Sequence, residues 1–584
     1  MDRFKTHVLP LIQDQLDILG AGRLPLDKML APSREADQGD LSLPCFGFAK
    51  RLGRPPAQIA ESLADAMPPH ETVASVRAVN GYLNFTAAAD WMATTLLEQG
   101  PEQFTTDEPR SVLIEHTSAN PNGPFHVGRA RNAILGDTLV RLNRLWGNDV
   151  TAEYYVDDMG KQVAVLAWAL ETLTTQRVEE VLDGREPINP QWAGKADHQR
   201  VRFYQAAQVL RQDDTQNVAI EEAIGALVHA SEHGDEAVLD AFHSAYQPVL
   251  DGMLETLGRL GIHFERFTKE SLFVTNGDVA RLMERLEGLE IHGEADNGAH
   301  FLDLGARGLK GKTEFFYRRG DGSSLYATRD VAYHQWKWQQ SNALVNVLGE
   351  DHKLQAQQVG MTLEELEERR PEVVFYSFIK LPEGKMSTRR GNVVFMDDLL
   401  EEAQAQAAKV VRELRPHYPE GQVAHIAEAV GTSAVRFNII KVSPEKGFTF
   451  RWEDALTFEA GSAPFAMYSH TRACSISAKV ADLGGAQHDG SIPAASEIPE
   501  GMRTLLRALC IQRDVLGKAV AEHRPHLFAE HLLQLANAYN AFYRDCPIVT
   551  DDGVNGFYFA VSELARQRLQ HGLKGLGLEP LERM

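Results

Sequence analysis

The chain has 584 residues, 43% of them hydrophobic and 24% charged, which are the proportions of a soluble globular protein. At roughly 100–200 residues per domain this length accommodates about three to five domains and excludes wholesale disorder. The 59 Lys and Arg against 81 Asp and Glu leave a formal charge of −22. That excludes a histone-like polybasic binder, though not a local basic surface for nucleic acid.

In chain order, the first ~108 residues read as a small α+β unit. Residues 4–19 have helical spacing and stop at Gly20-Ala21-Gly22. A helix is expected over Pro56–Met67, then strands near Val73–Val79 and Tyr82–Phe85 around an Asn80-Gly81 turn, then a helix over Asp90–Gln99. At Ser111 the texture changes: Ser111–His116 is a strand-like run, followed by a loop rich in Asn, Pro and Gly. A helix from Val127 carries Leu135, Leu139, Leu142 and Trp146, and a strand over Val150–Val156 follows. This order predicts a parallel α/β sheet that binds ligands at the carboxyl ends of its strands.

Residues 165–300 read as a charged helical insertion. The α/β texture returns near Glu314–Tyr317, Ala343–Leu348 and Val373–Leu381, and from Leu399 to the end the pattern is all-helical. The expected organisation is an N-terminal α+β domain over 1–108, an α/β core with its insertion over 109–398, and a helical domain over 399–584. No apolar run reaches the roughly 18 residues of a membrane span, and Met1–His7 does not open a signal peptide. Cys45, Cys474, Cys510 and Cys546 lie too far apart for a disulfide framework or a zinc site, so a reducing cytoplasm is the expected setting.

Two segments carry chemistry. Ser118–Arg129 joins a buried strand to a helix start, where unpaired N–H groups and the dipole favour phosphate. Gly128 lets a ring or phosphate approach the backbone, and His126 can donate to phosphate oxygens. Taken alone, a loop histidine capping a helix is the plainer reading. Lys385-Met386-Ser387-Thr388-Arg389-Arg390-Gly391-Asn392 offers three cations and a hydroxyl suited to a polyphosphate, although a solvated surface loop would look the same.

Together and in this order, the two segments resemble the paired signatures of class I aminoacyl-tRNA synthetases, whose Rossmann-type core is split by an insertion. More narrowly, the chain resembles the arginyl-tRNA synthetases. The matching stretches are Gly39–Ser42, Gly81–Phe85, Ser118–Pro121, Tyr326–Asp330, Tyr468–Ala473 and Leu578–Met584. Two positions depart from the pattern. Arg129 stands where a second histidine is usual, and Thr388 where a second lysine is usual, with Arg389 or Arg390 as the replacement cation.

The resemblance implies ATP-dependent activation of L-arginine to arginyl-adenylate and transfer to the 3′ end of tRNA(Arg), with tRNA needed before activation. His126 and Lys385 would be catalytic, and Phe125, Gly128, Arg129, Met386, Ser387 and Arg389 would join them around ATP. Mg²⁺ would be held by the substrate's phosphates, with no protein metal site and no permanent cofactor. A guanidinium keeps its charge and needs carboxylates. By resemblance Glu115, Tyr326 and Asp330 would face it, Asn120 would hold the α-amino group, and His352 would line the pocket. Tyr82 and Asn84 would touch the tRNA elbow, and the helical domain would bind the anticodon through Tyr468 and Tyr543, unless those two are core. Met584 would be the family's docked C-terminus and would join the tRNA-binding residues, and the enzyme would be a monomer. The rivals are a paralogue with another amino acid or acceptor, a catalytically dead tRNA-binding protein, and a nucleotidyltransferase of the same fold, which would not need residues 400–584.

Overall fold

The computed structural model describes residues 1–33, 38–100, 104–184, 188–380, 394–457 and 461–584. Helix α1 (Asp2–Ile18) buries Phe4, Val8, Ile12 and Leu16, a stripe with one residue per turn. Strands β1 (Ala31–Pro32), β2 (Leu41–Pro44), β3 (Val73–Val79) and β4 (Tyr82–Ala87) form an antiparallel sheet in the order β1-β2-β4-β3. The β3–β4 hairpin turns through Asn80 and Gly81, both at positive φ, as a tight two-residue turn requires.

The core begins with β5 (Ser111–Glu115), α2 (Val127–Leu145) and β6 (Asp149–Val156). Helices α3 (Lys161–Thr172), α4 (Ala196–Leu210), α5 (Asn217–Glu232) and α6 (Glu236–Arg259) follow, then β7 (Arg266–Lys269). Next come β8 (His292–Glu294), β9 (His300–Asp303), β10 (Glu314–Arg318), α7 (Tyr326–Gln340), β11 (Ala343–Gly349), α8 (Lys353–Glu365) and β12 (Glu372–Tyr376). The central sheet is entirely parallel, in the order β12-β11-β5-β6-β7. Because the chain builds β5 to β7 on one side and β11 to β12 on the other, the switch point lies between β5 and β11. A ligand crevice is expected there.

Two expectations from the sequence are corrected. The span 165–300 is not all insertion, because β7 is an edge strand of the central sheet and is too short and too exposed to leave an apolar signature. Glu314–Arg318 does not belong to the central sheet: β10 pairs antiparallel with β9 in a separate sheet ordered β10-β9-β8.

The long helices of the C-terminal region are α9 (Met396–Leu414), α10 (Glu420–Ile440), α11 (Ala463–Asp482), α12 (Glu500–Ala521), α13 (Pro525–Asp545) and α14 (Gly556–Gly575). Side-chain caps open α11, where Ser462 accepts from the Phe465 amide, and α14, where Asn555 accepts from the Tyr558 amide. Among the described residues no helix is long and apolar enough to cross a membrane, and the four cysteines are free thiols.

Two buried ionic junctions bind the helical region to the core. Lys195, at the start of α4, places Nζ 2.7 Å from Asp397 on α9, and His198 Nε2 lies 3.1 Å from the same carboxylate. Arg436 on α10 is fully buried and places Nη2 2.5 Å from Asp137 Oδ2 on α2. Its remaining donors reach the Leu260 carbonyl at 2.8 Å and the Leu576 carbonyl at 3.2 Å. Gly577 has φ +70°, and a Cβ there would sit 2.2 Å from Arg436 Nη2, so only glycine lets the chain close over the guanidinium. Burial pushes the Asp137 carboxyl upward, but Arg436 and Arg141 outweigh it and hold the group below its ordinary 3.8.

Removing one partner of such a pair strands a buried charge, at a cost of about 3–5 kcal/mol. Arg436→Met is therefore expected to lower unfolding stability by about that amount in urea titrations. A loss of under about 1 kcal/mol, as for an exposed pair, would contradict this account.

Candidate active site

A cavity of ≈690 Å³ opens where β5 and β11 diverge. Its geometry starts from the exit of β5. Thr117 and Ser118 adopt positive φ (70° and 35°), strained for non-glycine residues. Asn132 of α2 holds this turn: its Oδ1 accepts from the Thr117 amide at 2.7 Å and its Nδ2 donates to the Val347 carbonyl at 2.9 Å. At Gly136 a Cβ would lie 2.2 Å from His116, so the missing side chain lets α2 lie close to the exit of β5.

One end of the cavity is acidic. Glu115 ends β5, and Tyr326 and Asp330 lie one turn apart at the start of α7. Burial alone would raise the Asp330 carboxyl, but His334, Lys337 and Gln355 more than offset it and hold it below 3.8. His334 Nδ1 is 3.1 Å from Asp330 Oδ1, and Gln355 Nε2 is 3.5 Å from Oδ2. Glu115 is already paired within the protein, because Lys337 Nζ lies 2.6 Å from its Oε2. Tyr326 stands open to the cavity, and the Tyr155 hydroxyl, in the cavity wall, is buried without a hydrogen-bond partner. Asp157 also lines the wall. Burial raises its carboxyl to about 6, and raises that of neighbouring Glu270 to about 8 despite the ion pair with Arg329.

The other end is the start of α2. His126 is its N-cap residue in extended conformation, and burial, helped by the nearby Arg129 charge, lowers its imidazole to about 4. It is thus a neutral hydrogen-bonding group at neutral pH. A Cβ at Gly128 would come within 3.0 Å of His126 Nδ1, so this glycine makes room first for the histidine ring itself. Arg129 lines the cavity, but Phe125 does not: its ring is 1% exposed in the core. An apolar ring in this loop gains more from the core than from the cleft.

Lys385, Met386, Ser387 and Arg389 lie outside the described residues. Of the described residues flanking them, Phe378 lines the cavity, while the Val394 carbonyl accepts from the Val127 amide at 2.9 Å. Asn120 lines the cavity and donates Nδ2 to Gln162 at 3.0 Å, leaving its oxygen to face a cationic donor. His352 lines the cavity as a half-exposed side chain.

Two surfaces lie elsewhere. On β4, Tyr82 is exposed and meets Phe46 edge-on at 5.3 Å. Asn84 is only 3% exposed, with Oδ1 accepting from Ser42 Oγ at 2.7 Å and Nδ2 unpartnered. In the helical region a groove of ≈530 Å³ is lined by Tyr468, Tyr543 and Met584 together with Arg415, Arg472 and Lys479. The Arg472 guanidinium lies 4.9 Å from the Tyr468 ring and 4.8 Å from that of Tyr543, and among the described residues no Asp or Glu lines the groove.

Sequence reasoning missed Tyr155, Asp157, Asn346 and Gln355 at the cavity, Lys337 buried behind it, and Arg472 at the groove. Only Asn346 left a trace, as the one polar residue in the apolar run Ala343–Leu348.

Comparison with known proteins accords with this geometry. A family model described as "tRNA synthetases class I (R), catalytic domain" matches residues 92–452. Models for the "DALR anticodon binding domain" and the "Arginyl tRNA synthetase N terminal domain" match residues 466–584 and 7–87. An arginine–tRNA ligase of Methanocella arvoryzae is 39% identical over 97% of both chains. One from Methanococcoides burtonii is 37% identical over 100% of this chain and 99% of its own. The solved arginyl-tRNA synthetase of Thermus thermophilus superposes with a TM-score of 0.78 at 26% identity, covering 99% of this chain and 100% of its own.

With a carboxyl raised to about 6, Asp157 is neutral below that pH and adds a negative charge above it. Affinity for a guanidinium ligand, measured calorimetrically with arginine, is expected to strengthen as pH rises through about 6. Asp157→Asn should flatten that dependence, and an unchanged inflection in the variant would assign it to another group.

Proposed function

The chain belongs to the arginyl-tRNA synthetase family and has the activity of an arginine–tRNA ligase, and from that premise we propose how its residues divide the work. The observation carrying this reading is that carboxylates and the start of α2 occupy opposite ends of one cavity. Asp330, kept ionised, and Tyr326 receive the guanidinium, with Glu115 behind them. Asn120 accepts from the α-ammonium, and His352 closes the outer wall. This orientation sends the substrate carboxylate toward His126, Gly128 and Arg129, where the ATP phosphates lie.

In the first step a carboxylate oxygen of arginine attacks the α-phosphorus, and the bond to the bridging oxygen of pyrophosphate breaks. The reaction needs positioning and charge stabilisation more than covalent help. His126, neutral in the free cavity, donates one N–H to the phosphate oxygens, and Lys385 supplies the nearby positive charge. Met386, Ser387 and Arg389 complete the phosphate contacts. Mg²⁺ enters with ATP on the phosphates. The described carboxylate and histidine cluster Asp197–His198–Asp397 is a poor seat for it, because the Lys195 ammonium already lies against Asp397. In the second step the oxygen of a terminal ribose hydroxyl of tRNA(Arg) attacks the adenylate carbonyl carbon, the bond from that carbon to the phosphate oxygen breaks, and AMP departs as the hydroxyl proton passes to its phosphate or to water.

Residues 1–108 serve the tRNA elbow through the exposed Tyr82 ring, while Asn84, buried on the same strand, supports it from within rather than reading a base edge directly. Residues 399–584 serve the anticodon through the groove of Tyr468, Tyr543 and Met584, where Arg472 between two rings offers stacking and charge together. Bound tRNA is required before arginine is activated. The enzyme works as a monomer in the cytoplasm.

Hydrogen bonds to a charged group contribute about 1.5–3 kcal/mol, so Asp330→Asn is expected to raise the arginine KM roughly 10- to 150-fold. The ATP KM should stay near its original value. Equal increases in both constants would remove Asp330 from the guanidinium site.

A further inference from the structure

Lys337 is a fully buried ammonium on the stripe of α7 that carries Asp330 and His334. Burying such a charge is costly unless it is paired. Its Nζ meets Glu115 Oε2 at 2.6 Å, Asn346 Oδ1 at 2.9 Å and the face of the Tyr333 ring at 4.2 Å. Glu115 and Asp330 lie on different elements, and Lys337 reaches both by different routes.

The second route follows from donor and acceptor logic. An ammonium only donates, so the Asn346 group facing Lys337 is its carbonyl oxygen, and its NH₂ faces away. There Asn346 Nδ2 lies 2.6 Å from His334 Nε2. Facing a donor, Nε2 accepts, which leaves the ring proton on Nδ1. That nitrogen lies 2.7 Å from the Asp330 carbonyl and 3.1 Å from Asp330 Oδ1. One ammonium thereby determines an amide orientation, an imidazole tautomer and the proton that His334 shares between the Asp330 carbonyl and the Asp330 carboxylate.

We infer that Lys337 is a positioning and charge-matching residue for the cationic substrate, holding Glu115 by a direct ion pair and Asp330 through Asn346 and His334. The inference rests on the assignment of this cavity to arginine. With Glu115 and Asp330 ionised, Lys337 reduces the joint charge of these two carboxylates from −2 to −1, and Asp157 in the same wall adds its charge only above about pH 6. Without it, two carboxylates would compete for one cation, and mutual repulsion would favour protonation of one of them. Lys337 touches neither substrate nor phosphate in this scheme, and its influence on arginine is indirect.

The test uses the full chain with tRNA(Arg) and measures aminoacylation kinetics and thermal midpoints for Lys337→Met, Asn346→Leu and Asp330→Asn. Asn346→Leu keeps the Lys337–Glu115 pair but cuts the link to His334, so it remains decisive if Lys337→Met does not fold. The expected result is a roughly tenfold or greater rise in arginine KM for both Lys337→Met and Asn346→Leu, comparable to the loss of one charge-assisted hydrogen bond. ATP KM should stay within about twofold, whereas a purely structural role would move both constants or only the melting point. If Asp330→Asn raises arginine KM while folded Asn346→Leu and Lys337→Met do not, the relay is overturned and the arginine site stands. If none of the three changes arginine KM, the site assignment fails and the relay fails with it.

Discussion

The start of α2 forms one end of the catalytic cavity, and its middle is clamped by a guanidinium taken entirely out of water. Arg436 comes from α10, its carboxylate partner from α2, and its carbonyl acceptors from residues 260 and 576. Such an ion loses several kcal/mol of hydration and is tolerable only when its donors are satisfied. The segments that satisfy them come from the catalytic core, the end of α6 and the close of α14. Helices α10, α12, α13 and α14 all pack on α2. The helical region is therefore part of the scaffold that aims His126 and holds the Asn132 tie to the β5 turn. A change in how the C-terminal helices sit has a short mechanical path to the His126 end of the cavity.

The electrostatics divide the molecule by task. The chain as a whole carries −22, yet the groove between Tyr468 and Tyr543 is lined by cations. Carboxylates are concentrated where a positive side chain must be taken in, and their charge is trimmed from within by Lys337. Net charge thus says little about partners, because what matters for recognition is the sign of the few groups facing each ligand.

Much of this plan was legible in the sequence, for reasons that can be stated residue by residue. The apolar run Val112–Ile114 and the spacing of Leu135, Leu139 and Leu142 report local burial. Local burial gives β5 and α2, and with them the loop that carries Asn120 and His126. Resemblance added Tyr326 and Asp330, whose spacing of four puts them on one helix face. What stayed hidden depends on contacts between distant residues. Glu115 and Lys337 are 222 positions apart, and nothing in either neighbourhood announces the pair. Strand β7 is a half-exposed edge, so its four residues carry no apolar alternation. The burial of Phe125 in the core is likewise not announced by the Asn- and Pro-rich loop in which it stands.

The most direct measurement is arginine-dependent ATP–pyrophosphate exchange with and without tRNA(Arg). If the helical region takes part in setting the cleft through α2, exchange should appear only when arginine and tRNA are both present. Full exchange with arginine in the absence of tRNA would contradict that coupling and reduce the helical region to a separate binding module. Exchange supported by another amino acid at comparable levels would contradict the guanidinium site itself.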